Sequence, residues 1–375
     1  MKIAVLISGG VDSSVALQIL KNEGHDLTAF YLKIWLEDEM AYLGQCPWKE
    51  DLAYVRQVCE RAKVPLEVVN MQKEYWDTVV SYTIAEAKAG RTPNPDIFCN
   101  QSVKFGSFYD KIDESFEKVA TGHYAQIQKD TGHRTQDSAG AKLNSTESCV
   151  LSSESYTLKK SPDPIKDQTY FLAHLDQKQL SRAMFPIGKY TKKEVRALAE
   201  KFDLPNKERK DSQGICFLGK VPFREFIKHH LGERTGDFVD VVTGKKVGQH
   251  EGYWFYTIGQ RYGLRLSGGP WFVVKKDIAK NIIYLANGYE PEEVKSDNFN
   301  VEKLHWISDG LRLKINDLRL DVKIRHGAIS HPCTLEVKGD KGQVRLTEKI
   351  HGIAPGQYAV FYQDDVCLGC GMISE

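Results

Sequence analysis

The chain opens with Lys2-Ile3-Ala4-Val5-Leu6-Ile7-Ser8-Gly9-Gly10-Val11-Asp12-Ser13-Ser14-Val15. An apolar run ends in two glycines and a cluster of hydroxyls, and a helical pattern through Val15, Ala16, Ile19 and Leu20 opens at Asp12. That order is a strand, a tight loop and a helix N-terminus in one continuous piece. A helix N-terminus presents backbone N–H groups and the positive end of a dipole, which together attract phosphate. Gly9 and Gly10 let the backbone approach an anion with no Cβ between them.

The loop is not a Walker loop, because no lysine follows its glycines, and it is not the Gly-x-Gly-x-x-Gly of dinucleotide folds. Its wording, Ser-Gly-Gly-x-Asp-Ser-Ser, resembles the pyrophosphate loop of enzymes that split ATP into AMP and pyrophosphate. Such enzymes typically activate a carbonyl oxygen by adenylation.

Residues 1 to about 125 alternate strand and helix. The expected strands are Ile3–Ile7, Leu27–Leu32, Leu66–Val69 and Lys118–Thr121; the expected helices are Asp12–Asn22, Lys49–Ala62, Glu74–Ala89 and Ser102–Ile112. The alternation predicts an α/β fold with a doubly wound, mainly parallel sheet, whose ligands sit beyond the carboxyl ends of the strands. Ser8, Leu32 and Gly122 stand at such ends. The stretch Gln128–Lys160 is polar and aperiodic, and reads as a loop or mobile hairpin that adds a surface excursion. Asp167–Leu204 reads as helical, with Thr191-Lys192-Lys193-Glu194 as a capping box. Glycine-rich short segments follow Asp211, and from about Pro291 the pattern is of short alternating strands, such as Leu320–Ile324, Cys333–Val337, Gln343–Leu346 and Tyr358–Tyr362. The expectation is therefore a nucleotide domain over 1–211, a small central connecting domain over 212–288 and a C-terminal β-barrel over 289–375.

Hydrophobic content of 41% and charged content of 27% belong to a soluble globular chain, and no apolar run approaches the ~20 residues of a membrane helix. The first residues are already a strand, so no signal peptide is expected and the cytoplasm is the expected compartment. A net charge of +1 gives no global argument for nucleic acid. From Thr157 to Asp211, however, 13 Lys/Arg stand against 8 Asp/Glu, a footprint that a phosphate backbone would suit.

The eight cysteines should be mostly reduced in such a chain. Cys367 and Cys370 form a C-x-x-C with no second pair nearby, and read as strand residues rather than a zinc site. Cys46, Cys59, Cys149 and Cys333 read as buried small hydrophobes. Two others stand in unusual loops. Cys99 lies in Gly90-Arg91-Thr92-Pro93-Asn94-Pro95-Asp96-Ile97-Phe98-Cys99-Asn100, which two prolines stiffen. Cys216 lies in Asp211-Ser212-Gln213-Gly214-Ile215-Cys216-Phe217-Leu218-Gly219, where the texture of the chain changes. Thiolates are the reactive form, and nearby cations or helix N-termini lower a thiol's pKa; the loops around Cys99 and Cys216 mark these two as candidate nucleophiles.

These segments, with Ala120-Thr121-Gly122-His123-Tyr124, Lys166-Asp167-Gln168, Tyr256-Thr257-Ile258-Gly259-Gln260-Arg261 and Gly356-Gln357, resemble the bacterial tRNA-specific 2-thiouridylase family in order along nearly the whole chain. The resemblance implies ATP-dependent 2-thiolation of the wobble uridine of tRNAs for Lys, Glu and Gln. It implies that Ile7, Ser8, Gly9, Gly10, Val11, Asp12, Ser13, Ser14, Leu32 and Gly122 hold ATP, with Mg²⁺ near Asp12. Asn94, Pro95 and Asp96 would meet the target base. Cys99 would be the nucleophile or resolving thiol, Cys216 the persulfide carrier, and Asp96 a group that orients the base or assists a proton transfer. Lys166, Asp167, Gln168, Arg325 and His326 would touch the tRNA, and His123 and Gln357 would contribute to tRNA choice. Trp35, Tyr124 and Phe98 are candidates for stacking on a splayed base. A cysteine desulfurase or a sulfur-relay carrier would donate the sulfur, and a monomer is expected. Leu32 stands where the family often has methionine, Arg325-His326 where it often shows a basic-aromatic pair, and Cys370 where it has glycine.

Two other classes use parts of this pattern. An ATP-dependent amidotransferase or argininosuccinate-type ligase would need the loop but neither cysteine. A non-catalytic tRNA-binding or nucleotide-sensing module would bind ATP without forming AMP.

Overall fold

The computed structural model describes residues 1–34, 47–130, 155–210, 222–289, 291–308 and 319–374. Strands β1 (Lys2–Leu6), β2 (Asp26–Lys33), β3 (Leu66–Asn70) and β4 (Lys118–Ala120) are parallel neighbours in the order β3-β2-β1-β4. On β1, Ile3 and Val5 face one apolar cluster with Leu17, Leu20, Val55 and Val58, while Ala4 and Leu6 face another with Phe30, Val79 and Val119. Both faces are covered, which is why β1 is a continuous apolar run. The chain order reverses between β1 and β4, the switch point at which open α/β sheets bind ligands.

A hairpin of β5 (Ala125–Asp130) and β6 (Ser155–Lys160) follows, and β7 (Ala183–Met184) returns to pair beside β4 as a fifth parallel strand. The central region carries β8 (Gly236–Asp240), β9 (Lys246–His250), β10 (Trp271–Asp277) and β11 (Ile282–Asn287), in the order β10-β11-β8-β9. The last region is a barrel: β12 (Lys295–Trp306), β13 (Leu320–Lys323), β14 (His331–Lys338), β15 (Lys341–His351), β16 (Tyr358–Gln363) and β17 (Val366–Ser374) run in the order β12-β15-β14-β13-β16-β17, and a β12–β17 pairing closes it. Phe299, Val301, Val322, Leu335, Val344 and Phe361 fill the interior.

The α/β architecture and the barrel follow the sequence pattern; four local features depart from it. The helix expected over Glu74–Ala89 contains a π turn at Trp76–Val80. Hydroxyls of Thr78, Ser81 and Thr83 bond the carbonyls of Glu74, Trp76 and Val79, which stabilises the widened turn. The helix expected over Ser102–Ile112 starts earlier, as a π turn over Cys99–Lys104, and breaks at Gly106, where any Cβ would lie 2.4 Å from the Ser102 carbonyl oxygen. Within the stretch read as helical, Ala183–Met184 is a strand, too short to show a period of two. The hairpin β5–β6 extends the barrel's sheet, with Cys367 opposite Leu158, so the early chain reaches into the C-terminal one. Cys367 and Cys370 do lie in a strand, as buried free thiols, and burial pushes both well above their ordinary range.

Candidate active site

The phosphate-type loop sits at the carboxyl end of β1. Ile7 is buried and donates its N–H to the Phe30 carbonyl at 3.0 Å, which fixes where the loop departs; Ser8 is exposed. Gly9 has φ +78°, and a Cβ there would stand 2.7 Å from the Asp51 carbonyl oxygen and 2.9 Å from Arg209 Nη1, so only glycine fits. Gly10 caps the helix Val11–Asn22 with no side-chain hydrogen bond to the first turn. The hydroxyls of Ser13 and Ser14 each donate to the Gly10 carbonyl at 3.0 Å, bracing the loop from inside. From β4, Gly122 closes over this turn, where a Cβ would be 2.7 Å from Ser13 N. Leu32 is half-buried near the end of β2, opposite Val69. The ends of β2, β1 and β4 therefore stand side by side, and the loop after β1 forms a cradle there with Gly122 against its helical turn.

Four side chains from later in the chain support it. Asn206, 1% exposed, donates to the Gly9 carbonyl at 2.8 Å and to Ser14 Oγ at 2.9 Å. Arg209 donates to the same carbonyl at 2.9 Å and is paired with Asp51. Lys192 Nζ lies 2.7 and 2.9 Å from the two oxygens of Asp12, and the Tyr124 hydroxyl donates to Asp12 Oδ1 at 2.8 Å. The cradle fits a polyphosphate. A protein-built magnesium site does not fit as well: both Asp12 oxygens are on Lys192, and among the described residues no group of three or more His, Cys, Asp or Glu is placed to hold a metal ion.

The second element is the loop carrying Cys99. Pro95 starts the one-turn helix Pro95–Phe98, a position where its missing N–H costs nothing, and the chain passes directly into the π turn at Cys99. Cys99 is 2% exposed. Asp96 is half-buried and close enough to His326 for its charge to act on that ring. Phe98 packs on Tyr82 with ring centroids 4.0 Å apart.

All three regions of the chain clamp this loop. Arg91 forks onto Glu86 at 2.5 and 2.6 Å. From the central region, Lys276 Nζ donates to the Gly90 carbonyl at 2.8 Å, and Thr92 and Thr257 hydroxyls are 3.2 Å apart. Burial pushes Lys276 down to about 8. From the barrel, Gln357 Nε2 donates to the carbonyls of Thr92 and Pro93, and the Pro355 carbonyl accepts from Thr92 N at 2.8 Å. Asn94 Nδ2, buried, donates to Gln357 Oε1 and to the Tyr170 hydroxyl, each at 3.4 Å.

Residues 167–171 join the two halves. Gln168 Oε1 accepts from Tyr124 N at 2.9 Å, and Tyr124 reaches Asp12 on the phosphate-loop side. On the thiol side Tyr170 meets Asn94, and the Phe171 carbonyl accepts from Asn100 Nδ2 at 3.2 Å. Asp167, 2% exposed, is paired with buried Lys323 of β13 at 3.0 Å and accepts from Thr169. His326 stacks on Phe171 at 4.7 Å and bonds the Asp167 carbonyl at 3.0 Å; burial holds its pKa below the usual value.

Comparison with known proteins decides what this arrangement belongs to. The tRNA methyl transferase HUP domain family matches residues 1–220, the tRNA methyl transferase PRC-barrel domain 224–287, and the aminomethyltransferase beta-barrel domain 296–373. The chain is 45% identical to the tRNA-specific 2-thiouridylase MnmA of Parabacteroides distasonis, over 100% of this chain and 99% of that one. The MnmA proteins of Porphyromonas gingivalis, at 44%, and Bacteroides thetaiotaomicron, at 42%, are matched over 100% of this chain and 99% and 100% of theirs. The chain belongs to the tRNA-specific 2-thiouridylase family. A likeness of TM-score 0.34 and 16% identity to the U34-tRNA thiolase NcsA of Methanococcus maripaludis, over 61% of this chain and 67% of that one, is too loose to carry an inference.

In this 2-thiouridylase family member the structure brings Ile7–Ser14, Leu32 and Gly122 together at one sheet end, and Asn94, Asp96, Cys99 and Gln357 at one loop. Arg325 is exposed, His326 keeps an exposed edge although its ring lies on Phe171, and Lys166 is half-exposed. Asp167 faces inward to Lys323. His123 is also inside, packed by Phe105 and Phe185, with Nδ1 2.6 Å from Thr121 Oγ1; burial drives its pKa well down. Gln357 faces the thiol loop. Cys216, and with it 211–221, lies outside the described residues, as do Trp35, Cys46 and Cys149. Sequence reading missed Tyr124 as a polar partner, Lys192, Asn206 and Arg209. The last three stand in or beside the basic stretch Thr157–Asp211, whose excess charge hinted at phosphate without saying whose.

Proposed function

We propose that this chain catalyses ATP-dependent 2-thiolation of the wobble uridine of tRNAs for Lys, Glu and Gln. The observation that carries the reading is the bridge Asp167–Phe171, which ties an anion cradle on one side to the Cys99 loop on the other. A phosphate site and a thiol held by one rigid segment suit a reaction that activates an oxygen and then replaces it with sulfur.

The C2 oxygen of uridine is a poor leaving group. Its attack on the α-phosphorus of ATP forms an O–P bond and releases pyrophosphate, which the N–H groups of the Ser8–Ser14 loop would hold. Mg²⁺ would accompany the nucleotide on its phosphate oxygens and screen their charge. Asn94, Pro95 and Asp96 would receive the base. The terminal sulfur of a persulfide on Cys216 then attacks C2 and expels AMP. The Cys99 thiolate attacks the Cys216 sulfur, which releases 2-thiouridine and leaves a Cys99–Cys216 disulfide. An external thiol supplies the two electrons that reduce it, and a cysteine desulfurase or relay carrier reloads Cys216.

A monomer working in the cytoplasm suits this role; among the described residues no helix is long and apolar enough to cross a membrane. The test is pyrophosphate release by the purified protein with ATP and tRNA. The reading expects release only with a tRNA that carries an unmodified wobble uridine. Release with a small amino acceptor and no tRNA would point to an amidotransferase or ligase instead.

A further inference from the structure

Asp12 is the second residue of the helix Val11–Asn22, so its carboxylate stands in the turn where a polyphosphate would be held. A bare carboxylate there would repel the ligand. Here it is not bare: the Lys192 ammonium bonds both of its oxygens, and the Tyr124 hydroxyl bonds one. Lys192 is itself fixed from behind. It is the first residue of the helix Lys192–Lys201, directly after the Thr191–Glu194 capping box, and its backbone N–H donates to Asp163 Oδ2 at 2.9 Å. Its side chain is 15% exposed and that of Asp12 31%, so the pair is not sealed in the core.

An ammonium has three N–H donors and can serve a carboxylate and a phosphate oxygen together, whereas a carboxylate has none to offer an anion. A metal ligand, in turn, needs an oxygen turned to the metal. Arg209 also stands at the loop, where its guanidinium is paired with Asp51 and donates to the Gly9 carbonyl.

We propose that Lys192 binds the phosphates of the nucleotide, and that Asp12 and Tyr124 are positioning residues that aim its ammonium, Asp12 serving in place of a magnesium ligand. The inference rests on the ATP-dependent reading above. It gives the developing charge on pyrophosphate a cationic partner from a helix 180 residues along the chain.

The experiment uses the full chain with inorganic pyrophosphate and adenosine as competitors of ATP. Lys192→Ala and Lys192→Met, the second keeping the apolar stem, raise the KM for ATP by about 10- to 100-fold, the usual effect of losing one charge-assisted hydrogen bond. Both weaken inhibition by pyrophosphate in the same proportion and leave inhibition by adenosine and affinity for tRNA unchanged, which also reports that they fold. Lys192→Arg recovers part of the loss. Asp12→Asn raises the KM for ATP less, with no change in the Mg²⁺ concentration giving half-maximal rate. Pyrophosphate inhibition undiminished in Lys192→Met overturns the proposal, as does an Asp12→Asn variant whose Mg²⁺ requirement shifts while Lys192 variants are normal. A native chain that binds no ATP refutes the function instead.

Discussion

The side chain of Gln357, on the barrel, holds the backbone of Pro93: its Nε2 donates to the Pro93 carbonyl at 2.9 Å and to that of Thr92 at 3.1 Å. The loop that carries Asp96 and Cys99 is thereby registered against a part of the chain more than 260 residues away. Gln357→Ala leaves two carbonyls short of a donor, at a cost of about 1–3 kcal/mol. We expect kcat for thiolation to fall about tenfold or more, with the KM for ATP unchanged. Gln357→Glu, which offers acceptors to acceptors, falls further. Steady-state kinetics with ATP and tRNA varied separately checks both.

Asp167 and Lys323 form an ion pair with side chains 1% and 4% exposed. Removing one partner strands the other charge in the core. Lys323→Met should cost about 3–5 kcal/mol, while Lys323→Met with Asp167→Leu costs less than the sum of the two single changes. Urea unfolding of the four proteins measures the difference.

Two histidines should make the fold acid-sensitive. His174 stacks on His305 at 4.6 Å, with its Nδ1 unbonded among the described residues; burial first, and His305 second, push it down to about 4. Burial pushes His250 to about 4 as well. A depressed folded-state pKa means that the unfolded chain takes the proton first. Stability is therefore full above about pH 6.5 and falls as pH drops toward about 4, by on the order of 2–3 kcal/mol per histidine. His174→Phe keeps a ring in the stack without the titrating group, and should flatten the slope of melting temperature against pH over that window.

The two thiols divide the reaction. Cys99→Ser and Cys216→Ser each remove sulfur transfer but leave the adenylation side intact, so both should still release pyrophosphate in the presence of tRNA. Loss of pyrophosphate release in either variant would tie that thiol to activation rather than to sulfur.

The parts legible in the sequence are those whose signal is local. Ile3–Ile7 alternates its neighbours between two covered faces, Gly9 is required by a positive φ, and Thr191-x-x-Glu194 forms its capping box. The parts that were not legible depend on distance along the chain. Ala183–Met184 is a strand only because β4 lies beside it. Asp167 reads as a surface charge until Lys323 arrives from the barrel, and Lys192 as a solvated cation until the helix Lys192–Lys201 lands on Asp12. His123 carries a polar name into a pocket of phenylalanines. Pairings of this kind leave no period in the sequence.

The most direct measurement of sulfur transfer is mass spectrometry of the wobble nucleoside, after the purified protein has acted on unmodified tRNA with ATP and a persulfide donor. The predicted result is 2-thiouridine in the full reaction, and none when ATP is omitted or when Cys99 or Cys216 is replaced by serine. 2-Thiouridine formed at the native rate by either serine variant, or uridine left unchanged by the native protein, would contradict it.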